Sequence, residues 1–315
     1  MEECSGLVHT HENPRASLDP IMPREEHART LASTHDVPEE APEFQIELTS
    51  VGISGKTVWV GLPRGRLPFD AKIETNLPAG YRGIHMSRIE EAISSINDKP
   101  FDDICSYSKD LARMVLARQN GNLVIVRLRG KIPIKRETMV SGHTSMDTAE
   151  IEALTEATMQ GGGLKFKTMA GVTASHMTAC PCTQVYNQDL FKIEGGALPL
   201  MTHSQRSLTR LLVERSADNI PSYDDLLECL ESALHVTQDL LKRPDEAEIV
   251  IKAHLRPQFA EDAVRQTAKE VGIRLGDMLP GSTDVTIEST SLESIHIHDV
   301  CCCLKTTLRE IIDAF

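Results

Sequence analysis

Polar and apolar positions first fall into a regular order near Phe44. From there Phe44, Ile46 and Leu48 alternate with polar neighbours, and Val58 and Val60 follow after Gly55. A period of two predicts two half-buried strands joined by a turn, with another extended segment over 68–77. The period then lengthens. Ile89, Ala92, Ile93 and Ile96 lie at helical spacing, and Ser87 and Glu90 occupy capping-box positions for a helix starting there. A second helix is predicted over 102–117, with Leu111, Val115 and Leu116 inward, and a strand over 123–134. Residues 148–159 read as a third helix ending at Gly161-Gly162-Gly163. No Lys-Ser/Thr signature follows those glycines, so they read as a flexible turn rather than a phosphate cradle.

Residues 164–178 read as extended and carry the chain into Cys180-Pro181-Cys182. Ser222 and Asp225 stand at the start of a long helix whose Leu226, Leu230, Ala233, Leu234 and Leu241 keep helical spacing up to Pro244. Shorter helices are predicted over 246–254 and 257–271, and a strand over 284–293 that Ile295 and Ile297 continue. An amphipathic helix over 304–315 closes the chain. Strands, helices and strands thus occur twice, which predicts an α+β fold of two similar halves, antiparallel sheet with helices on one face. Residues 1–43 are rich in Pro, Glu, His and Arg without a sustained period and are expected to form a disordered tail.

Composition narrows the partners. The formal net charge of −13 makes nucleic acid or an anionic membrane a poor general partner, and 4% aromatics leave little for base stacking. No apolar run is long enough to span a bilayer, and the N-terminus lacks the layout of a secretory signal. Eight cysteines in 315 residues, with Cys180-Pro181-Cys182 and consecutive Cys301-Cys302-Cys303, suggest free thiols in a reducing cytoplasm. The apolar run from Val300 to Leu304 is expected to be buried.

Chemistry concentrates around His176-Met177-Thr178-Ala179-Cys180-Pro181-Cys182. In extended backbone, positions i and i+2 face one side, so both sulfurs are expected to meet one point, as a metal-ligand edge or a redox pair. Two small hydrophobes in a buried strand are the alternative. His203, Glu246, Glu293, His296 and His298 follow, residue types that bind metals or move protons. Widely spaced sulfur, nitrogen and oxygen donors fit a catalytic ion with an open position better than a compact structural knuckle. Upstream, Arg82, His85 and Arg88 would surround a helix N-terminus, where dipole and free N–H groups favour phosphate. Surface arginines beside an ordinary cap are the alternative there.

The runs Arg82-Gly83-Ile84-His85-Met86-Ser87-Arg88, Cys180-Pro181-Cys182, His203-Ser204-Gln205-Arg206-Ser207, Lys242-Arg243-Pro244-Asp245-Glu246, Phe259-Ala260-Glu261-Asp262-Ala263-Val264-Arg265 and Glu293-Ser294-Ile295-His296-Ile297-His298 together resemble the GTP cyclohydrolases of the Cys-Pro-Cys type, in that family's order. The lead-in Met177-Thr178-Ala179 is similar to the archaeal, iron-dependent branch of methanopterin synthesis; a related bacterial branch serves folate synthesis. The resemblance implies a tunnelling fold with halves over 44–163 and 164–315, the second holding the metal site, assembled as a homodimer or homotetramer. It implies Cys180, His203 and Glu246 as ligands of one Fe2+ per subunit, with Zn2+ or Mn2+ as substitutes and Cys182 as an alternative ligand. Glu261 would anchor the guanine edge of GTP, and Glu293, His296 and His298 would be catalytic. Arg82, His85, Arg88 and Arg206 would hold the triphosphate. The implied products are formate, pyrophosphate and 7,8-dihydroneopterin 2′,3′-cyclic phosphate. The folate-type enzyme instead retains the triphosphate, and a non-catalytic binding protein of the same fold is a third reading.

Overall fold

The computed structural model describes residues 20–193, 199–215, 220–239 and 241–315. Strands β1 (Leu48–Leu62) and β2 (Gly65–Leu77) form a hairpin, preceded by α1 (Arg24–Ser33), which buries no side chain. Helices α2 (Met86–Ser95) and α3 (Ile104–Leu116) lead into the hairpin β3 (Leu123–Glu137) and β4 (Thr144–Gln160). Next come β5 (Gly163–Ala179), α4 (Pro181–Phe191) and β6 (Ser204–Glu214). Helix α5 (Tyr223–Ala233), the short β7 (His235–Val236), α6 (Arg243–Leu255) and α7 (Ala260–Leu275) follow. The chain ends with β8 (Asp284–Leu292), β9 (Val300–Thr307) and α8 (Leu308–Ile312).

Among the described residues the strands make one antiparallel sheet in the order β1-β2-β3-β4-β5-β6-β8-β9, with β7 pairing β5 at His176 and Met177. Alternation gives the sheet two unlike faces. Val124, Val126 and Leu128 of β3 and Ile151 and Ala153 of β4 are buried with Leu111 and Val115 of α3. Leu211 and Val213 of β6 and Ile287 of β8 join the same core with Leu226 and Leu230 of α5 and Val271 and Leu275 of α7. On the other face Glu152 faces three guanidinium groups, Arg127 at 3.3 Å, Arg129 at 3.2 Å and Arg210 at 2.7 Å. That charged surface explains why the strands do not read as continuous apolar runs.

Helix starts follow local chemistry. Asp103 caps α3 by accepting the Ser106 N–H at 2.8 Å, and Ser222 and Asp225 form the capping box expected for α5. At the β4–β5 turn, Gly161 (φ 61°) and Gly162 (φ 77°) sit in the left-handed region, which costs glycine little.

Several expectations are corrected. Residues 148–159 are strand, not helix: Ala149, Ile151, Ala153, Thr155 and Ala157 alternate into the core while β4 pairs β3 on one side and β5 on the other. Sheet pairing overrides the helical preference of this Ala-, Glu- and Leu-containing run. No capping box starts α2; His85 is its N-cap, and Glu90 pairs with Lys56 at 2.7 Å instead. The first turn lies between Leu62 and Gly65, and β1 passes Gly55 as a register irregularity. Phe44 and Ile46 stay outside the sheet and exposed. Helix α5 stops at Ala233 because Leu234 turns extended and His235–Val236 pair with β5. The 300–304 run is an edge strand bonded only to β8, so Cys301 and Cys303 are exposed rather than buried. The closing helix is correspondingly confined to α8. Of the expected disordered tail, residues 1–19 lie outside the described residues, whereas 20–43 include α1 and a 3-10 turn at Val37–Glu39.

Candidate functional site

The end of β5 and the start of β6 place two expected ligands side by side. The Cys180 N–H donates to the His203 carbonyl at 3.1 Å, continuing the β5–β6 ladder by one rung. Cys180 is extended and serves as the N-cap of α4, with Pro181 in the first turn, where a missing N–H is harmless. The expectation that Cys180 and Cys182 share an extended run is therefore corrected: strand ends before the first thiol, and Cys182 lies exposed in the first turn of α4. The described cysteines are free, and the Thr183 hydroxyl donates to Cys180 Sγ at 3.7 Å.

His203 gathers its own surroundings. Its Nδ1 lies 3.1 Å from Gln205 Oε1, and Gln205 Nε2 donates to Glu293 Oε1 at 3.3 Å. The Ser291 hydroxyl donates to the same carboxylate oxygen at 2.9 Å. The His296 ring stands edge-on to His203 with centroids 6.4 Å apart, and His296 stacks on His298 at 5.2 Å. His296 and His298 do not lie on a strand with Ile295 and Ile297 in the core. Residues 293–299 connect β8 and β9, Glu293 half-buried and 294–299 exposed, and Ile297 is fully exposed. The structure thus links His203 through side chains to Gln205, Glu293, His296 and, by way of His296, His298, and through the backbone to Cys180.

Glu246 and its neighbour Asp245 open α6, and their hydrogen bonding separates them. Asp245 is buried and accepts from Val140 N at 2.8 Å, Ser141 N at 3.0 Å, Ser141 Oγ at 2.6 Å and Lys242 N at 3.1 Å. Those bonds, the Ser141 hydroxyl foremost, hold its carboxyl well below the usual carboxylate range. Asp245 therefore clasps the β3–β4 turn to α6, while Glu246 is exposed, its N–H donating to the Lys242 carbonyl at 2.9 Å and its carboxylate without a hydrogen bond among the described residues. Gln184 of α4 donates to the His254 carbonyl of α6 at 2.8 Å, so the two helices are tied. Cys180, His203 and Glu246 together offer a thiolate, an imidazole and a carboxylate, a donor set that suits Fe2+ or Zn2+. They are not gathered to within 4.8 Å of one another, the spacing at which Asp36, Glu39 and His85 form a group able to hold a metal ion.

That second group surrounds the start of α2. Arg82 meets Glu40 at 3.1 Å, and its N–H and that of Gly83 donate to the Pro38 carbonyl. His85 lies 3.2 Å from Glu39, and Arg88 lies 3.4 Å from Glu39 and 3.7 Å from Asp36. Arg88 already shares both carboxylates, and its charge opposes a cation there. The cations expected to bind phosphate are thus covered by acids from residues 36–40. Arg206 is exposed on β6, and Glu261 is exposed in the first turn of α7, where its charge acts on Cys302 of β9. The anion-binding candidates and Glu261 form no hydrogen bond or ion pair with the His203 group among the described residues.

Beneath the site the helix-facing side of β5, β6 and β8 carries buried polar groups. His176 Nε2 lies 2.8 Å from Thr209 Oγ1, Thr209 donates to Ser289 at 2.9 Å, and Thr178 lies 2.8 Å from Ser207. His176 Nδ1 has no hydrogen-bond partner among the described residues, and burial, reinforced by His235, holds the ring's pKa down to about 4.

The reading of residues missed Gln205, though its i+2 position from His203 was a usable signal for a shared strand face. It also missed Asp36, Glu39 and Glu40, whose pairing across more than forty positions leaves no local signal.

Residues 34–302 match a family model described as type I GTP cyclohydrolase folE2. The GTP cyclohydrolase MptA of Methanoculleus marisnigri is 32% identical over 305 residues, covering 88% of this chain and 96% of that protein. That of Methanoregula boonei is 31% identical over 305 residues, covering 88% and 93%. A solved structure of a highly active BTUO mutant aligns with a TM-score of 0.51 at 8% identity, covering 84% of this chain and 99% of that one. A uricase from Bacillus fastidious aligns with a TM-score of 0.47 at 8% identity, covering 84% and 95%. The likeness to the BTUO mutant is one of fold alone.

Proposed function

Because the chain belongs to the type I GTP cyclohydrolase family and is a GTP cyclohydrolase, we propose that its reaction centre is the Cys180–His203 corner with Glu246, Glu293, His296 and His298. The observation that carries this reading is His203 itself, held at Nδ1 by Gln205, adjoining Cys180 across the ladder and facing the His296 ring. Cys180, His203 and Glu246 would hold one divalent ion, Fe2+ in first place, with Zn2+ or Mn2+ as substitutes and Cys182 as an alternative ligand. When bound, such an ion supplies Lewis-acid activation of water near neutral pH. The full occupation of Asp245 supports Glu246 as the acid.

The protein's own groups then divide the work. His296 and His298, stacked and exposed, exchange protons as water adds to the imidazole carbon of guanine and the ring opens. A second water removes that carbon as formate. Glu261 accepts the guanine N–H edge, and Arg82, His85, Arg88 and Arg206 receive the triphosphate, from a neighbouring copy where one chain does not bring them together. Homodimers or homotetramers follow from that reading. The repeated order of antiparallel strand pair, helices and antiparallel strand pair, with α4 inserted between β5 and β6, supports two tunnelling-fold halves, 44–163 and 164–315. No helix among the described residues is long and apolar enough to cross a membrane, and the free thiols support a cytoplasmic setting.

The relatives named MptA favour the methanopterin-branch products: formate, pyrophosphate and 7,8-dihydroneopterin 2′,3′-cyclic phosphate. The folE2 description of the matching family model favours the folate-type product, in which the triphosphate stays attached. Anaerobic incubation with GTP and Fe2+ should yield formate, with pyrophosphate and a cyclic phosphate in the phosphorus NMR spectrum. Formate with an intact triphosphate would select the second reading. Full turnover by a correctly folded Cys180→Ala variant would remove the assigned centre.

A further inference from the structure

The hydrogen bonds around His203 form a chain whose direction can be deduced from one end. Glu293 Oε1 accepts from the Ser291 hydroxyl at 2.9 Å, and the same oxygen faces Gln205 as an acceptor. The Gln205 group that faces it at 3.3 Å must therefore be the NH2. That places the Gln205 carbonyl oxygen against His203 Nδ1 at 3.1 Å, where an oxygen can only accept. Nδ1 must then carry the proton, leaving the lone pair of the neutral ring on Nε2, which has no hydrogen-bond partner among the described residues. We propose that Gln205 is a positioning residue that fixes the tautomer and ring orientation of His203, and that Glu293 acts on His203 through it. The proposal rests on the reading of His203 as a metal ligand.

The register explains why these residues suffice. Arg206 and Leu292 form the last pair of β6 and β8, so Gln205 and Glu293 stand next to each other just beyond it, and His203 precedes Gln205 by two residues at the entry to β6. A ligating imidazole usually donates its other N–H to a fixed acceptor, which orients the ring and raises its basicity. Here the acceptor is an amide that a carboxylate keeps from flipping. Glu293 is thereby recast from a proton-transfer group into the anchor of a ligand.

Binding of Zn2+ alone to the full-length metal-free protein, in competition with a chromogenic chelator, tests this alongside nitrogen-15 NMR of histidine-labelled protein. His203→Ala should abolish the tightest equivalent of binding; unchanged binding in that variant would overturn the ligand reading itself. With that control satisfied, Gln205→Leu should weaken binding roughly 10- to 100-fold and shift the His203 resonances towards the Nε2–H tautomer. The double variant Gln205→Glu, Glu293→Gln keeps an acceptor against Nδ1 and a donor behind it, and should regain most of the affinity and the wild-type tautomer. Should Gln205→Leu fail to fold, the double variant alone decides. Wild-type affinity and tautomer in a folded Gln205→Leu, or loss of both in the double variant, would overturn the proposal.

Discussion

Acidification should remove stability through His176, and the size of the loss follows from its surroundings. The ring is fully buried against Thr209, its Nδ1 has no partner among the described residues, and burial lowers its pKa from an ordinary 6.5 to about 4. A histidine with a depressed folded value takes up a proton more readily when unfolded. Its contribution is therefore intact above 6.5 and is lost as pH falls towards 4. Between about pH 7 and about pH 4.5 the linkage relation gives a loss of about 2.5 kcal/mol from this group alone. Urea unfolding at a series of pH values and one protein concentration measures it, with His176→Gln compared at each pH. Only the difference in slope matters, because the substitution also changes packing and removes the contact to Thr209. The variant should lose about 2.5 kcal/mol less than wild type across that interval. Parallel curves would mean that the buried imidazole does not resist protonation, and would refute the reasoning.

Other perturbations separate cap, core and clasp. Ser222→Ala should cost about 1 kcal/mol in thermal or urea unfolding by removing the acceptor for Asp225 N–H; an unchanged midpoint would argue against the capping box. Leu211→Ala, at a fully buried position on β6, should cost about 3 kcal/mol, and a cost within error of zero would misplace the core. Asp245→Ala should raise hydrogen exchange across 138–143, because Val140 and Ser141 lose their acceptor, whereas Glu246→Ala should leave that protection intact and lower metal uptake. Equal exchange in the two variants would dissolve the distinction between clasp and ligand. The Asp245 contribution should be fully present above its ordinary 3.8 and fade only as the solution becomes strongly acidic.

How far the chain could be read depended on whether the signal was local. Capping at Ser222, the glycine turn before β5 and the alternation of β8 depend on neighbours in sequence, and each reads correctly. The 148–159 stretch did not, because its strand character comes from partners on both sides, while its composition favours helix. The 300–304 run was misjudged for a related reason: hydrophobicity does not reveal that a strand will have a single neighbour. At the site, the order of the motifs carried the family, and the family match bears that out. The geometry around His203 was only half legible. A two-residue period places Gln205 beside it, but nothing along the chain says that Glu293 accepts from Gln205.

The start of α2 has a consequence for which ligands could settle there. Its basic groups are not vacant: Glu40 sits on Arg82, and Glu39 and Asp36 sit on His85 and Arg88. A newcomer has to evict those residents, so the exchange is a trade of one anion for another, and the net gain is their difference. A neutral nucleoside offers nothing to trade. A polyphosphate, denser in charge than separate carboxylates on a chain segment, is the kind of guest for which eviction is worthwhile, and added salt would weaken resident and guest alike.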